Sequence, residues 1–177
     1  VVFNEGGKVS SLMFFIKHHY PTEKEKRNGV NTLCLQEERK NPNAKIINNK
    51  LRNKANKLIQ KEDVFEILLI SSEGFLTEGS RSNLFFIKND TVYTSEDEFV
   101  LVGTARKRTI EICNNYNIDI VKTRVKADKV AEYDAAFLTG TSLGVLPIAK
   151  INKLSFNVND RTLRTIQSSY LHLLDKV

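Results

Sequence analysis

The chain has 177 residues, 41% of them apolar and 27% charged, a balance suited to one folded domain with a single substantial core. Its formal net charge of +6 suits anionic partners, whether nucleic acid, an acidic surface or a phosphorylated cofactor, without choosing among them. No apolar run reaches membrane-spanning length and the start lacks the pattern of a secretory signal, so neither a membrane span nor export is expected. Cys34 and Cys113 lie among apolar neighbours and read as small buried hydrophobes, which fits a reduced, cytoplasmic chain. The start at Val1, without methionine, reads as a trimmed or partial chain.

In chain order, Leu12 to Ile16 is a short apolar run closed by Tyr20-Pro21-Thr22, and Glu23 to Asn28 reads as a mixed-charge connector ending at Gly29. Val30 to Leu35 alternates as a strand does, and Glu37 to Asn43 is a polar surface loop. Ile47 to Gln60 spaces Ile47, Leu51, Ala55, Leu58 and Ile59 as an amphipathic helix with a basic outer face. A β meander is expected next, from Val64 to Ile70, Phe75 to Glu78, Asn83 to Ile87 and Thr91 to Thr94, with Asn89-Asp90 as a tight turn. Thr104 to Asn114 reads as a helix, Ile118 to Thr123 as a strand and Ala127 to Glu132 as a helical turn. Ala135 to Thr139 is a buried strand, Val145 to Ile151 a strand interrupted by Pro147, and Thr162 to Leu174 a closing helix that packs on the barrel or on a partner subunit.

Four stretches carry chemistry. In AKIINNKL (Ala44 to Leu51), Lys45 stands between a polar loop and a helix; a lysine desolvated there becomes nucleophilic, although most lysines of a basic chain are solvated surface groups. In TEGSRSNLFF (Thr77 to Phe86), Glu78 is set between apolar strands and needs a cationic or proton-donating partner if buried. In LVGTARKRTI (Leu101 to Ile110), Gly103-Thr104-Ala105 opens a helix whose free amides suit a phosphate, with Gly103 letting the anion approach the backbone. In TGTSLGVLP (Thr139 to Pro147), hydroxyls and amides gather at a strand end, as in many ordinary turns. Each signal is weak alone.

Taken together, their order and spacing resemble the class IV pyridoxal phosphate-dependent aminotransferases, the family of branched-chain and D-amino acid aminotransferases and aminodeoxychorismate lyase. The resemblance runs from about Pro42 to Pro147, and EGSRSNLFF with TGTSLGVLP is its most specific part. It implies an α/β fold, the large C-terminal domain of that family, a mixed-sheet pseudo-barrel flanked by helices. Residues 1–20 would end a small N-terminal domain and its crossover, and residues 21–177 would form the cofactor-binding domain, the C-terminal part of a longer enzyme.

By the same resemblance, Lys45 is the lysine that forms a Schiff base with pyridoxal 5'-phosphate and carries the proton. Glu78 meets the pyridine nitrogen, Leu101 packs on the ring, and Thr104, Ala105 and Thr141 hold the phosphate. Ser142 and Leu143 face the substrate carboxylate. Lys50 stands where branched-chain members carry tyrosine, Ala105 replaces a hydroxyl residue, Arg81 a small one, and Gly144 stands where an acid is common.

The implied activity is transfer of an amino group between an amino acid and a 2-keto acid, commonly by a homodimer, with pyruvate-releasing lyase chemistry as the alternative. A further alternative is an inactive fragment or a basic binding module, since Lys50, Arg52, Lys54, Lys57 and Lys61 line one helix; no exposed aromatics accompany them, so nucleic acid is not expected. His18, His19 and His172 lack partners at ligand spacing, so no metal site is expected.

Overall fold

Period-two alternation of large apolar residues is the feature that organises the chain. Along β4 (Glu66–Ile70), Leu68 turns to one cluster while Ile67 and Leu69 turn to another. Along β6 (Asn83–Lys88), Leu84 and Phe86 separate from Phe85 and Ile87 in the same way. Strands apolar on both faces must be covered on both faces, which a closed sheet coated by helices achieves. The computed structural model describes residues 2–13, 20–39, 41–44 and 49–174.

The elements are β1 (Val2–Glu5), β2 (Lys8–Ser11), α1 (Glu23–Asn28), β3 (Val30–Gln36), α2 (Asn49–Glu62), β4, β5 (Phe75–Gly79), β6, β7 (Thr91–Thr94), α3 (Thr104–Asn115), β8 (Ile120–Lys122), β9 (Val125–Lys126), β10 (Ala135–Gly140), β11 (Gly144–Ile151), β12 (Leu154–Ser155) and α4 (Arg161–Leu174). β1 and β2 pair only with each other. Six strands close a mixed barrel in the order β6-β10-β11-β3-β4-β5, and β5 returns to β6. The β11–β3 and β3–β4 ladders are parallel and the rest of the circuit is antiparallel. The seam between β5 and β6 rests on one register pair, Glu78 with Asn83.

Helices coat the outside. Leu51 and Ala55 of α2 pack on Ile67 and Leu69 of β4, while Ala105, Ile112 and Cys113 of α3 join Leu163, Ile166 and Tyr170 of α4 over β6 and β10. Phe85 and Phe137, neighbours on β6 and β10, stack with centroids 4.9 Å apart; truncating either ring would cost about 3–5 kcal/mol. The closing helix therefore packs on the barrel, with Leu171 turned to solvent. The basic face of α2 is exposed at Lys50, Arg52, Lys54, Lys57 and Lys61.

Two expectations are corrected. Glu23 to Asn28 is not a connector but the helix α1, which buries no residue and is held by a capping box: Glu25 N donates to Thr22 Oγ1 (3.2 Å) and Thr22 N to Glu25 Oε2 (2.7 Å). Pro147 does not interrupt its strand. It pairs with Phe137 of β10, and the ladder to β3 begins one residue later at Ile148, so no hydrogen bond to β3 is asked of the proline nitrogen. Elsewhere the expected strands and helices agree with the observed ones within a few residues. Residues 45–48, which hold Lys45 and the expected helix start at Ile47, lie outside the described residues, as do His18 and His19.

Candidate active site

The barrel seam opens into a cavity of about 290 Å³. Asn83 stands at its centre of connectivity, paired with Glu78 on β5 and with Thr139 on β10. Glu78 and Asn83 form one wall, the stretch from Leu101 to Ala105 a second, and Thr139 to Thr141 a third. Ser82, Arg39, Arg52 and Arg81 complete the lining, so the cavity's one carboxylate shares it with three guanidinium groups.

Glu78 is 2% exposed. Arg39 Nε approaches its Oε1 at 2.6 Å, and Leu101 N donates to its Oε2 at 3.2 Å. Burial holds the carboxyl above its ordinary range, with Arg39 opposing the shift only in part. Arg39 is fixed in turn by donating from Nη2 to the carbonyl of Ser80 at 2.7 Å. Oε1 receives no well-aligned hydrogen bond among the described residues despite its close cation. A buried carboxylate oxygen with spare lone-pair capacity is a receptor for a further N–H donor facing the cavity.

The second wall leads into α3. Gly103 caps the helix at φ −69° and, having no side chain, offers the first-turn amides no acceptor of its own. Its missing Cβ serves Asn83: a Cβ there would lie 2.7 Å from Asn83 Oδ1. Asn83 Nδ2 in turn donates to the Leu101 carbonyl at 2.7 Å, so the approach to α3 is pinned to β6. Arg106 is committed elsewhere, bonded to Asp97 Oδ1 (2.7 Å) and the Ser95 carbonyl (2.6 Å) while only 1% exposed. Thr139 Oγ1 is fully buried, lines the cavity and has no partner among the described residues. An orphaned hydroxyl beside a helix N-terminus matches the donor needs of a phosphate.

The loop before Lys45 is also tied to this wall. With its amide nitrogen turned toward them, Asn43 donates to the carbonyls of Asp97 (2.7 Å) and Val100 (3.1 Å). Lys45 itself lies outside the described residues. Glu78, Leu101, Thr104, Ala105 and Thr141 come together around the cavity, whereas Ser142 and Leu143 are not in its lining. Leu143 packs against the barrel core instead. Sequence reasoning missed Arg39, Asn83 and a second buried carboxylate, Glu66, and took Thr139 only as one of the hydroxyls of its turn. Only Glu66 carried a sequence signal: an acid opening the apolar run Ile67 to Ile70. Among the described residues, no group of three or more His, Cys, Asp or Glu gathers as a metal site requires, and no helix is long and apolar enough to cross a membrane.

A six-stranded mixed barrel coated by helices, with a carboxylate at its seam and an open helix N-terminus facing it, is the α/β architecture of the class IV aminotransferase fold. A solved structure from Thermotoga maritima, assigned to the branched-chain amino acid aminotransferases, superposes with a TM-score of 0.79 at 25% identity, covering 99% of this chain and 65% of that one. A branched-chain amino acid aminotransferase from T.th., solved with pyridoxamine 5'-phosphate, gives 0.77 at 24% identity, covering 88% and 54%.

The chain belongs to the class IV aminotransferase family, whose description, Amino-transferase class IV, matches residues 3–151. It is 30% identical over 111 residues to the branched-chain-amino-acid aminotransferase of Pseudomonas aeruginosa, covering 62% of this chain and 36% of that protein. It is 28% identical over 137 residues to the D-alanine aminotransferase of Bacillus licheniformis, covering 73% and 46%. The chain thus spans less than half the length of these curated relatives.

Proposed function

We propose that this chain is the cofactor-binding unit of a pyridoxal 5'-phosphate-dependent aminotransferase that moves an amino group between an amino acid and a 2-keto acid. The observation that carries the reading is one cavity with a receptor for a ring N–H at Glu78 and a seat for an anion at α3 and Thr139. When bound, the cofactor's pyridine ring supplies an electron sink for charge developing at the substrate α-carbon. Residues 21–177 would form that unit and residues 1–20 the end of a small N-terminal domain with its crossover, in keeping with a β1–β2 hairpin that pairs with no barrel strand.

The residues divide the work by chemistry. Glu78 accepts the ring N–H at Oε1, and Leu101 presents its side chain to the ring face. Thr104 and Ala105 offer first-turn amides, and Thr141 its hydroxyl and amide, to the phosphate. Lys45 would hold the cofactor through its aldehyde and would carry the proton exchanged at the substrate α-carbon. Ser142 and Leu143, in the same β10–β11 turn as Thr141, would face the substrate carboxylate. The enzyme would act as a homodimer in the cytoplasm, where free Cys34 and Cys113 stay reduced.

Borohydride reduction of cofactor-loaded protein followed by peptide mapping tests the assignment. Label on Lys45 is expected; label on another lysine, or no stable adduct, would refute it. Amino transfer should require a 2-keto acid acceptor, and pyruvate release without one would move the chemistry to a lyase.

A further inference from the structure

Glu66 opens β4 and is 3% exposed, yet it lies outside the cavity lining and has no part in the chemistry above. Both its oxygens are saturated. Oε1 accepts from Ser80 Oγ (2.7 Å) and Ile67 N (2.9 Å), and Oε2 from Ser82 Oγ (2.9 Å) and Arg81 N (3.2 Å). Three of these four donors belong to Ser80–Ser82, the turn between β5 and β6. The backbone of that turn is tied down as well, by Ser80 N to the Ile67 carbonyl and Gly79 N to the Ser82 carbonyl, each at 2.8 Å. Packing there is so close that a Cβ on Gly79 would sit 2.1 Å from Ser82 Oγ and 3.1 Å from Glu66 Oε2.

The turn's two ends are Glu78 and Asn83, and both are fastened to the stretch that enters α3. Glu78 Oε2 takes the amide of Leu101, and Asn83 Nδ2 gives to the Leu101 carbonyl. We infer that Glu66 is a positioning residue: by gathering the turn between Glu78 and Asn83, it sets the distance from the carboxylate that meets the cofactor ring to the anion seat at the start of α3. This rests on the cofactor reading proposed above.

The job demands a carboxylate. Four donors converge on it, and an ionised carboxylate is acceptor-only. A glutamine must turn an NH₂ toward one side of the pocket, where it meets either Ile67 N–H or Arg81 N–H. The serine hydroxyls can reverse to accept; a backbone N–H cannot, and is left buried without a partner.

The test compares Glu66→Gln with Ile166→Val, a buried methyl deletion on α4 of similar expected stability loss in a different cluster. Amide hydrogen exchange is measured on the cofactor-free protein across residues 79–83 and 100–105, and pyridoxal phosphate is titrated by absorbance. Loss of one buried hydrogen bond, about 1.4 kcal/mol, predicts about tenfold faster exchange in both segments and about tenfold weaker cofactor binding for Glu66→Gln. Ile166→Val should leave both within about twofold of wild type. Unchanged exchange in Glu66→Gln overturns the inference. So does faster exchange with unchanged cofactor affinity, which would make Glu66 merely structural. Wild-type protein that binds no pyridoxal phosphate would sink the cofactor reading, while the exchange measurement still judges Glu66. Ser80→Ala removes a single donor and is judged by the same outcomes should Glu66→Gln not fold.

Discussion

Gly103→Ala sets two effects of opposite sign against each other. At φ −69° and ψ 151° the backbone accepts alanine without strain, so the loss of unfolded-state freedom alone would stabilise the protein by about 0.4–1 kcal/mol. Against this, the new methyl lands 2.7 Å from Asn83 Oδ1, where ordinary contact begins near 3.4 Å. Asn83 has nowhere to retreat. It is 6% exposed, its backbone is paired with strands on both sides, and its Nδ2 holds the Leu101 carbonyl at 2.7 Å. Overpacking costs about 1–3 kcal/mol and a broken buried hydrogen bond about 1 kcal/mol, so the clash wins and the variant should lose about 1–3 kcal/mol net. Urea unfolding of a double-mutant cycle reads this directly. In an Asn83→Ala background the obstacle is gone, and Gly103→Ala should turn neutral or stabilising. An equal loss in both backgrounds, or a gain in the wild-type background, would refute the argument that Asn83 dictates glycine here.

Other expectations follow from buried polar atoms. Thr139→Val deletes a buried hydroxyl that has no partner among the described residues, so the cofactor-free protein should gain about 1 kcal/mol, or about 2–4 °C in Tm by calorimetry, while pyridoxal phosphate binds several-fold more weakly; a lower Tm would mean the hydroxyl is already bonded. Burial pushes the thiols of Cys34 and Cys113 up to about 11 from 9.0. A raised folded-state pKa contributes stability that is complete below pH 9 and is lost as the pH rises through about 11. Denaturation midpoints should therefore fall across that window, less steeply in Cys113→Ala, and a thiol reagent at about pH 8 should label neither cysteine until the protein unfolds.

What the sequence revealed and what it hid divide along physical lines. β4, β6, β10 and the Asn89-Asp90 turn were legible because their signals are local: apolar runs of strand length, and two residues able to take positive φ, here 49° and 61°. α1 was hidden because it buries nothing and shows no apolar period, although Thr22 and Glu25 already spelled a capping box. The cavity residues Glu78, Leu101, Thr104, Ala105 and Thr141 were reached through the resemblance of short motifs. Arg39, the cation facing Glu78, was not, since nothing local distinguishes an arginine in a polar loop from a solvated one; only the closed sheet brings the two together. Gly103 stands out in the sequence as a helix opener beside which an anion could approach. The second reason for its bareness, Asn83 Oδ1 lying 2.7 Å from where a Cβ would stand, comes from a strand twenty residues away and is visible only in the fold.

The barrel's last joint is a single residue pair, and that pair is Glu78 with Asn83. Closing the sheet and assembling the cavity are consequently one event, so a folding intermediate with this joint open has no cavity to offer. Substitutions meant to reshape the cavity at these two positions would loosen the whole cylinder. The β10–β11 turn, which bears on the cavity rim through Thr141 while leaving the joint untouched, is the safer place to begin.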